Sequence, residues 1–415
     1  MYRDIYSAIN PLYYFSKILG LAPFNIIKGN KIIGTTNKIT VTKYGQLYTI
    51  TIIFIAIFFT TSAIAWRAEF QYRNDTKSSV IGNLFFWISS LCSTVFGLLL
   101  PGIIYSKKLI NIIKTINEFD AEFLLNQNAN YKKASNFIKL EIIIFCTTYG
   151  SLCLYHIWVY QSSDTLNQHF GINYVLYLIN FAVIIQIGNL VYYIQQRLAI
   201  LNKRITNYNE TSKCNSNILQ SNRFFNVRFK NSKIYQSNKE CNTCRNIRLA
   251  ENGENMSNIR TLRKHQSSLR DLTDLVNEVY GFQILLEFIA AFIDTTGNLY
   301  CLLQCFNSKE VKVVGGGHFY VMKIGWTIAI MLKVLFVTVL CHKTSEEGSK
   351  TVSHLQRLLL SLPTDAASTM EIHLFSQQVI SRPFRFTAFG LFDVDRSALC
   401  SFFGAIITYL IVLLQ

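Results

Sequence analysis

Ser397-Ala-Leu-Cys-Ser-Phe-Phe-Gly-Ala-Ile-Ile-Thr-Tyr-Leu-Ile-Val-Leu-Leu-Gln415 contains no charged side chain. Coiled as a helix at about 1.5 Å per residue, this stretch crosses a hydrocarbon core of roughly 30 Å. Ser401, Gly404, Ala405 and Thr408 recur at three- and four-residue spacing and give it one small, mildly polar face. Such a face suits close helix contact or the wall of a narrow water path. Gln415 follows one turn after Ile411 and Val412.

Six further apolar runs lie upstream, so the spans fall at about 44–66, 80–104, 137–160, 170–196, 282–306, 319–341 and 397–415. Half of the residues are hydrophobic and clumped, as in a multi-pass membrane protein. The region before Tyr44 is broken by Arg3, Lys17, Lys28, Lys31, Lys38 and Lys43, so no secretory leader is expected. The net charge of +16 does not point to nucleic acid, because the basic residues alternate between loops. They crowd into the connections after spans 2, 4 and 6, whereas Gln161 to His169 has none. The positive-inside rule then expects a cytoplasmic amino terminus and an extracellular Gln415. Asn74-Asp75-Thr76, a candidate glycan acceptor, falls outside on this scheme. That orientation is opposite to a G-protein-coupled receptor. Span 3 also lacks an Asp-Arg-Tyr-like triplet, and span 7 lacks Asn-Pro-x-x-Tyr.

The connection from 197 to 281 divides in two. Residues 202–258, rich in Asn, Ser, Lys and Arg, are expected to be disordered. From Ile259 a seam of Leu262, Leu269, Leu272, Val276 and Val279 predicts a helix running directly into span 5. Residues 342–396 predict two more helices, the first from Thr351 and stopped by Pro363, the second capped by Thr364 or Asp365 and reaching about Ile380.

No catalytic constellation stands out, and no cofactor or metal is expected. Cys241-x-x-Cys244 lacks a second pair at zinc-finger spacing, and most of the ten cysteines lie in or beside spans as small apolar residues. Gly315-Gly316-Gly317 follows no strand and reads as an outer turn. Ionisable groups inside spans are more informative, because each is costly there. Glu287 and Lys333 share a depth and are expected to form a structural ion pair. Asp294 and Asn298 lie on one face of span 5, with Lys323, Trp326 and Thr327 at the same level of span 6. Trp87, Tyr149, Tyr155, His156, Tyr177 and Asn180 also lie outward of the midplane. Polar groups interleaved with aromatics suit a small organic ligand; interfacial anchoring and helix-to-helix hydrogen bonds are the competing use of the same residues. Lys323 tilts the ligand toward an acidic, polar or bitter molecule and away from a simple sugar.

The carboxy-terminal residues also resemble a known family. Thr408-Tyr409, five apolar residues and Gln415 match the closing signature of insect gustatory receptors, which are related to insect odorant receptors; the signature's last Phe is absent here. Phe389-Gly390-Leu391-Phe392, Asp395, Leu399 and Leu374-Phe375-Ser376 resemble that family's approach to the same helix. The likeness is sharp over the last fifth of the chain. It implies an all-α membrane protein of seven transmembrane helices, organised as segments 1–43, 44–341, 342–396 and 397–415. It further implies a cytoplasmic helical anchor where four subunits meet, as a homotetramer or with other gustatory receptor subunits, in the plasma membrane of chemosensory dendrites. A tastant would bind in the outer part of spans 2–6, with Trp326 as its floor. Span 7 would line a cation pore gated by Thr408, Tyr409, Ile411, Val412 and Gln415.

Overall fold

A computed structural model describes residues 5–27, 38–70, 77–123, 131–161, 171–228, 242–307, 317–361 and 366–414. Asn74-Asp75-Thr76, Cys241, Gly315-Gly316, Pro363 to Asp365 and Gln415 lie outside the described residues. In chain order the helices are α1 (Ile5–Ile18), α2 (Lys43–Phe70), α3 (Lys77–Leu99), α4 (Ser106–Phe123), α5 (Tyr131–Gln161), α6 (Gly171–Arg228), α7 (Asn242–Asn307), α8 (Gly317–Ser361), α9 (Ala366–Ser381) and α10 (Arg396–Leu414). Two short antiparallel hairpins complete the described elements. One pairs β1 (Phe24–Ile27) with β2 (Lys38–Val41), the other β3 (Thr387–Ala388) with β4 (Phe392–Asp393).

Seven of these helices are long and apolar enough to cross a membrane: α2, α3, α5, α6, α7, α8 and α10. They coincide with the seven runs expected from hydropathy. α2 turns Phe54, Ile55, Phe58 and Phe59 outward, α5 turns out Ile143, Ile144 and Leu154, and α8 turns out Ile324, Ile328 and Leu332. Rows of exposed aliphatic and aromatic side chains on this scale are what lipid contact requires and what water penalises. α6 is the opposite case: 78% of its most apolar window is buried, against 17% in α5, so α6 forms the core around which other spans pack.

Two compact units share the chain. The first comprises Met1–Val191, Asp274–His342 and Phe386–Gln415; the second comprises Tyr192–Thr273 and Lys343–Arg385. α6, α7 and α8 each contribute residues to both. Leu262, Leu269, Leu272, Val276 and Val279 are all buried along an unbroken α7, as their spacing predicts. α6 continues to Arg228 and α7 starts at Asn242, so helix extends over 202–228 and 242–258, where composition points to disorder. A helix already nucleated by an apolar span propagates through residues of indifferent propensity at little cost.

Within the second unit, Asn202 donates to the backbone and side-chain oxygens of Glu347 and accepts from Thr351 at 2.7 Å. Arg263 of α7 pairs with Glu371 of α9 at 3.3 Å, and Gln378 donates to Gln266 at 3.0 Å. Polar side chains thus lace this unit around an apolar core that includes Leu262, Leu269, Leu355, Leu358, Ile372 and Phe375.

Within the first unit, α1 and α4 add what the hydropathy reading lacks. α1 packs on α5 and α4, and Tyr13 donates to Phe24 O at 2.9 Å, tying α1 to the first hairpin. α4 buries Leu109, Ile110, Ile112, Ile113, Ile116, Phe119 and Phe123, an amphipathic pattern of period near 3.6. Between α3 and α4 the helix widens to a π turn over Leu100–Ile104. Pro101 has no N–H and crowds the carbonyl four residues back, so the ladder re-forms as Tyr105 N–H donates to Leu100 O at 2.7 Å.

Glu287 and Lys333, paired in sequence reasoning by depth alone, meet at 2.5 Å with both side chains 3% exposed. Glu287 also accepts from Ser93 of α3 and from Gln283. Removing one partner of a buried pair strands the other charge, at a cost of about 3–5 kcal/mol. Lys333→Met is therefore expected to lower the unfolding temperature of the detergent-purified protein clearly. Glu287→Gln combined with Lys333→Met should recover most of the loss. An unchanged midpoint for the single variant would contradict the buried pair.

Candidate functional site

The second half of α5, the start of α6 and the start of α8 bring an aromatic cluster together. Its buried centre is Tyr149, Val159, Tyr177, Phe181, Met322 and Trp326. The Trp326 ring lies 5.5 Å from Tyr177, 5.8 Å from Tyr149 and 6.3 Å from His156, centroid to centroid. Tilted and edge-on rings at these separations suit the aromatic quadrupole better than face-to-face stacks. Phe86 of α3 reaches the cluster at 6.0 Å from Tyr177, and Phe145 stacks on Tyr149.

Polar groups thread this apolar body. Tyr177 donates to Asp294 Oδ2 at 2.7 Å. Tyr149 donates to the backbone oxygen of Tyr174, whose hydroxyl meets His156 Nδ1 at 2.5 Å. Asp294 Oδ1 and Trp326 Nε1 are buried without a hydrogen-bond partner. Lys323 donates to Asn298 Oδ1 at 3.2 Å and lies 5.7 Å from the Phe319 ring centre, so the ammonium that tilted the ligand reading is engaged by protein groups. At the rim, Tyr155 hydrogen-bonds His318 at 3.0 Å and stacks on Trp158.

Five residues singled out by sequence therefore gather at one place: Tyr149, His156, Tyr177, Asp294 and Trp326. Asn298 and Lys323 adjoin them as a pair, and Tyr155 stands at the edge. Three others are used differently. Trp87 is fully buried beneath the Arg67 guanidinium, 4.8 Å from its ring centre, and its neighbour Phe86 makes the cluster contact. Asn180 accepts from Thr94 at 3.1 Å and donates to Ser90 O at 3.4 Å, joining α6 to α3. Thr327 donates its hydroxyl to Lys323 O, one turn back in its own helix. Sequence reasoning missed Phe86, Phe145, Phe181, Tyr174 and Met322, because Phe and Met inside a span are indistinguishable from lipid-facing filler.

α10 presents a different surface. It packs through Leu399, Phe402 and Ile406, with Phe402 5.7 Å from Phe288 and 6.4 Å from Phe292 of α7. Tyr409 extends that packed stripe, 5.8 Å from Phe292. Ser401, Gly404, Ala405, Thr408, Ile411 and Val412 are exposed, and a Cβ built on Gly404 would meet nothing within 4 Å. The small face noted in the sequence is thus left open by the rest of the chain. Asp395 caps the helix, accepting from Ser397 N–H at 2.9 Å, Ala398 N–H at 3.1 Å and the Ser397 hydroxyl at 2.7 Å. Just before it, Phe389 (φ 54°) and Gly390 (φ 74°) form the hairpin turn. Leu391 N–H closes that turn on Ala388 O at 3.0 Å.

A profile of the 7tm chemosensory receptor family matches residues 9–415. The chain belongs to that family of multi-pass membrane receptors. Among curated proteins it is similar to the Drosophila melanogaster gustatory receptor for sugar taste 43a, 23% identical over 97% of this chain and 96% of that one. It is also similar to the Drosophila relative numbered 2a in the same receptor series, 25% identical over 167 residues; that match spans only 37% of the relative's length. The structure of the insect olfactory receptor OR5 from Machilis hrabei superposes with a TM-score of 0.64 at 14% identity, over 98% of this chain and 97% of that one. The fold expected from the resemblance is therefore the fold observed.

Tyr177→Phe removes the donor from a buried carboxylate and should cost about 1–3 kcal/mol, whereas Tyr155→Phe at the rim should fall within about 0.5 kcal/mol of the parent; thermal unfolding of both measures the difference. The hydrogen bonds to Asp395, foremost that from Ser397, hold its carboxyl below the ordinary carboxylate range. With the folded pKa depressed, this cap contributes fully above the unfolded value of about 3.9 and is lost as pH falls through the folded one. Asp395→Asn should flatten that acid limb in a pH series of melting temperatures; an identical acid limb would argue against the cap.

Proposed function

We propose that the chain is a subunit of a tastant-gated, non-selective cation channel. A small organic ligand binds at the Tyr149–Tyr177–Trp326 cluster, and α10 from four subunits lines a central pore. The amino terminus lies in the cytoplasm and the carboxy terminus outside, which puts the cluster in the outer half of the membrane. The second unit is then cytoplasmic and holds the subunits together. The setting is the plasma membrane of a chemosensory dendrite, as a homotetramer or with related subunits.

One observation carries this reading: α10 is an apolar span whose small face, Ser401, Gly404, Ala405 and Thr408, is left open by its own chain. Around a symmetry axis that face would meet water and Val412 would form an apolar constriction able to close by dewetting. Gln415 would add an uncharged polar ring just beyond. The OR5 structure in complex with eugenol, with a TM-score of 0.59, supports a small organic ligand for this fold.

The link between the two sites would be α7. Asp294 faces the cluster while Phe288 and Phe292, on another face of the same helix, hold Phe402 and Tyr409 of α10. A ligand gates only if it prefers one arrangement of these contacts over the other. Purified protein in a planar bilayer is expected to show cation currents. Val412→Ala should raise the open probability without ligand, and Phe292→Ala should uncouple ligand from current. Absence of any current from well-folded protein, or wild-type gating in both variants, would remove the channel assignment.

A further inference from the structure

Two departures from local preference meet at one point beside the root of α10. Phe389, at φ 54°, is the single non-glycine residue with positive φ among the described residues. A left-handed backbone disfavours a residue that carries a Cβ by roughly tenfold in an equilibrium. Burial does not compensate, because Phe389 is 62% exposed and its ring only rests 5.2 Å from Phe282. Gly281 of α7 is the second departure, since glycine inside a helix is less favourable than alanine. A Cβ there would meet Phe389 N at 3.2 Å, Thr387 O at 3.3 Å and Phe389 Cα at 3.5 Å, all backbone atoms. At every other described glycine where a Cβ would touch anything within 4 Å, at least one of the nearest atoms belongs to a side chain. The one strained residue and the one glycine seated wholly on backbone are therefore in contact with each other.

The hairpin has few other holds on α7. Asn277, one turn before Gly281, accepts the Thr387 N–H at 3.1 Å, and Phe392 lies 5.5 Å from Phe288. A residue in a sparsely populated backbone region persists only while its surroundings over-determine it, and such residues gather at switching segments. Around Phe389 those surroundings are a hydrogen bond, a backbone approach and a ring contact, which a small lift of the hairpin from α7 removes together. We propose that Phe389 is a two-position joint: left-handed while the hairpin is seated on Gly281, and back at negative φ once it is lifted. Asp395, two residues beyond β4, caps α10, so the first turn of α10 follows the hairpin. The joint stands on this geometry; its effect on current rests on the channel reading.

Phe389→Gly and Phe389→Val both remove the ring, so the difference between them isolates the backbone. Glycine accepts positive φ freely and a β-branched residue least of all. Hydrogen–deuterium exchange on the full-length purified protein reads the joint without current, because lifting frees Thr387 N–H from Asn277 and relaxing Phe389 opens the Leu391 N–H bond to Ala388 O. Exchange at both is expected to be on the order of tenfold slower in Phe389→Gly than in Phe389→Val. Gly281→Ala should match Phe389→Val, whereas Gly297→Ala, on the same helix with nothing within 4 Å of an added Cβ, should match the parent. The Val394 N–H, bonded to Phe386 O inside the hairpin, reports whether the hairpin itself stays folded. If Phe389→Val exposes it, Gly281→Ala decides, since that change leaves the turn residues intact. Equal exchange in the glycine and valine variants, or a Gly281→Ala protein indistinguishable from Gly297→Ala, overturns the joint. In bilayers the two Phe389 variants should also differ by a similar factor in unliganded open-to-closed ratio. Equal ratios despite separated exchange overturn the coupling to α10, while separated exchange with no current at all supports the joint and counts against the channel reading instead.

Discussion

The contact between Glu287 and Lys333 sets the arrangement of the first unit. Each charge alone would be prohibitive inside an apolar span, so each must find the other. Ser93 and Gln283 complete the shell of Glu287, which locks the register of α3, α7 and α8 at one depth. The Lys333 ammonium also lies 5.3 Å from the ring centre of Phe181, so the pair forms one boundary of the aromatic cluster. Two turns further along α7 from Glu287, Asp294 meets Tyr177. One residue after Glu287, Phe288 turns to α10. One helix thus presents a polar row to the cluster and an aromatic row to the last span.

That division explains why α10 is held so lightly. A stripe of Leu399, Phe402 and Ile406, extended by Tyr409, is its main attachment, with Asp395 and the β3–β4 hairpin fixing its start. The hairpin crowds α7, since a Cβ added at Gly281 would stand 3.2 Å from Phe389 N and 3.3 Å from Thr387 O. Phe389 carries the conformational strain of a left-handed backbone, and its ring rests 5.2 Å from Phe282. The root of α10 is therefore tied to α7 by direct contact and not by a slack loop.

Much of the fold was legible in the sequence, because in a bilayer hydropathy and length nearly dictate spanning helices. The seven spans and the α7 seam follow from apolar runs and periodicity, and the Glu287–Lys333 pair from depth. α4 carried a readable signal in the helical spacing of Leu109, Ile112, Ile113 and Ile116, but its lysines drew the reading toward topology alone. α1 and the two hairpins are short elements whose stability comes from tertiary partners such as Thr49, which donates to Gly20 O at 2.6 Å, and no local pattern announces them. Within the cluster, intramembrane polar residues stood out by their cost, whereas the phenylalanines that shape it did not. Which polar groups would pair with each other, as Asn180 does with Thr94, depends on rotation of helices about their axes and escapes a one-dimensional reading.

The proposed channel function turns on the exposed small face of α10 lining water. Single cysteines placed along that helix in a Cys400→Ser background, treated with a membrane-impermeant thiol reagent during recorded currents, test it most directly. Cysteines at Ser401, Gly404, Ala405, Thr408 and Val412 should react and alter conductance, with those at Leu399, Phe402 and Ile406 inert. Reaction spread evenly around the helix, or confined to the packed stripe, would contradict it.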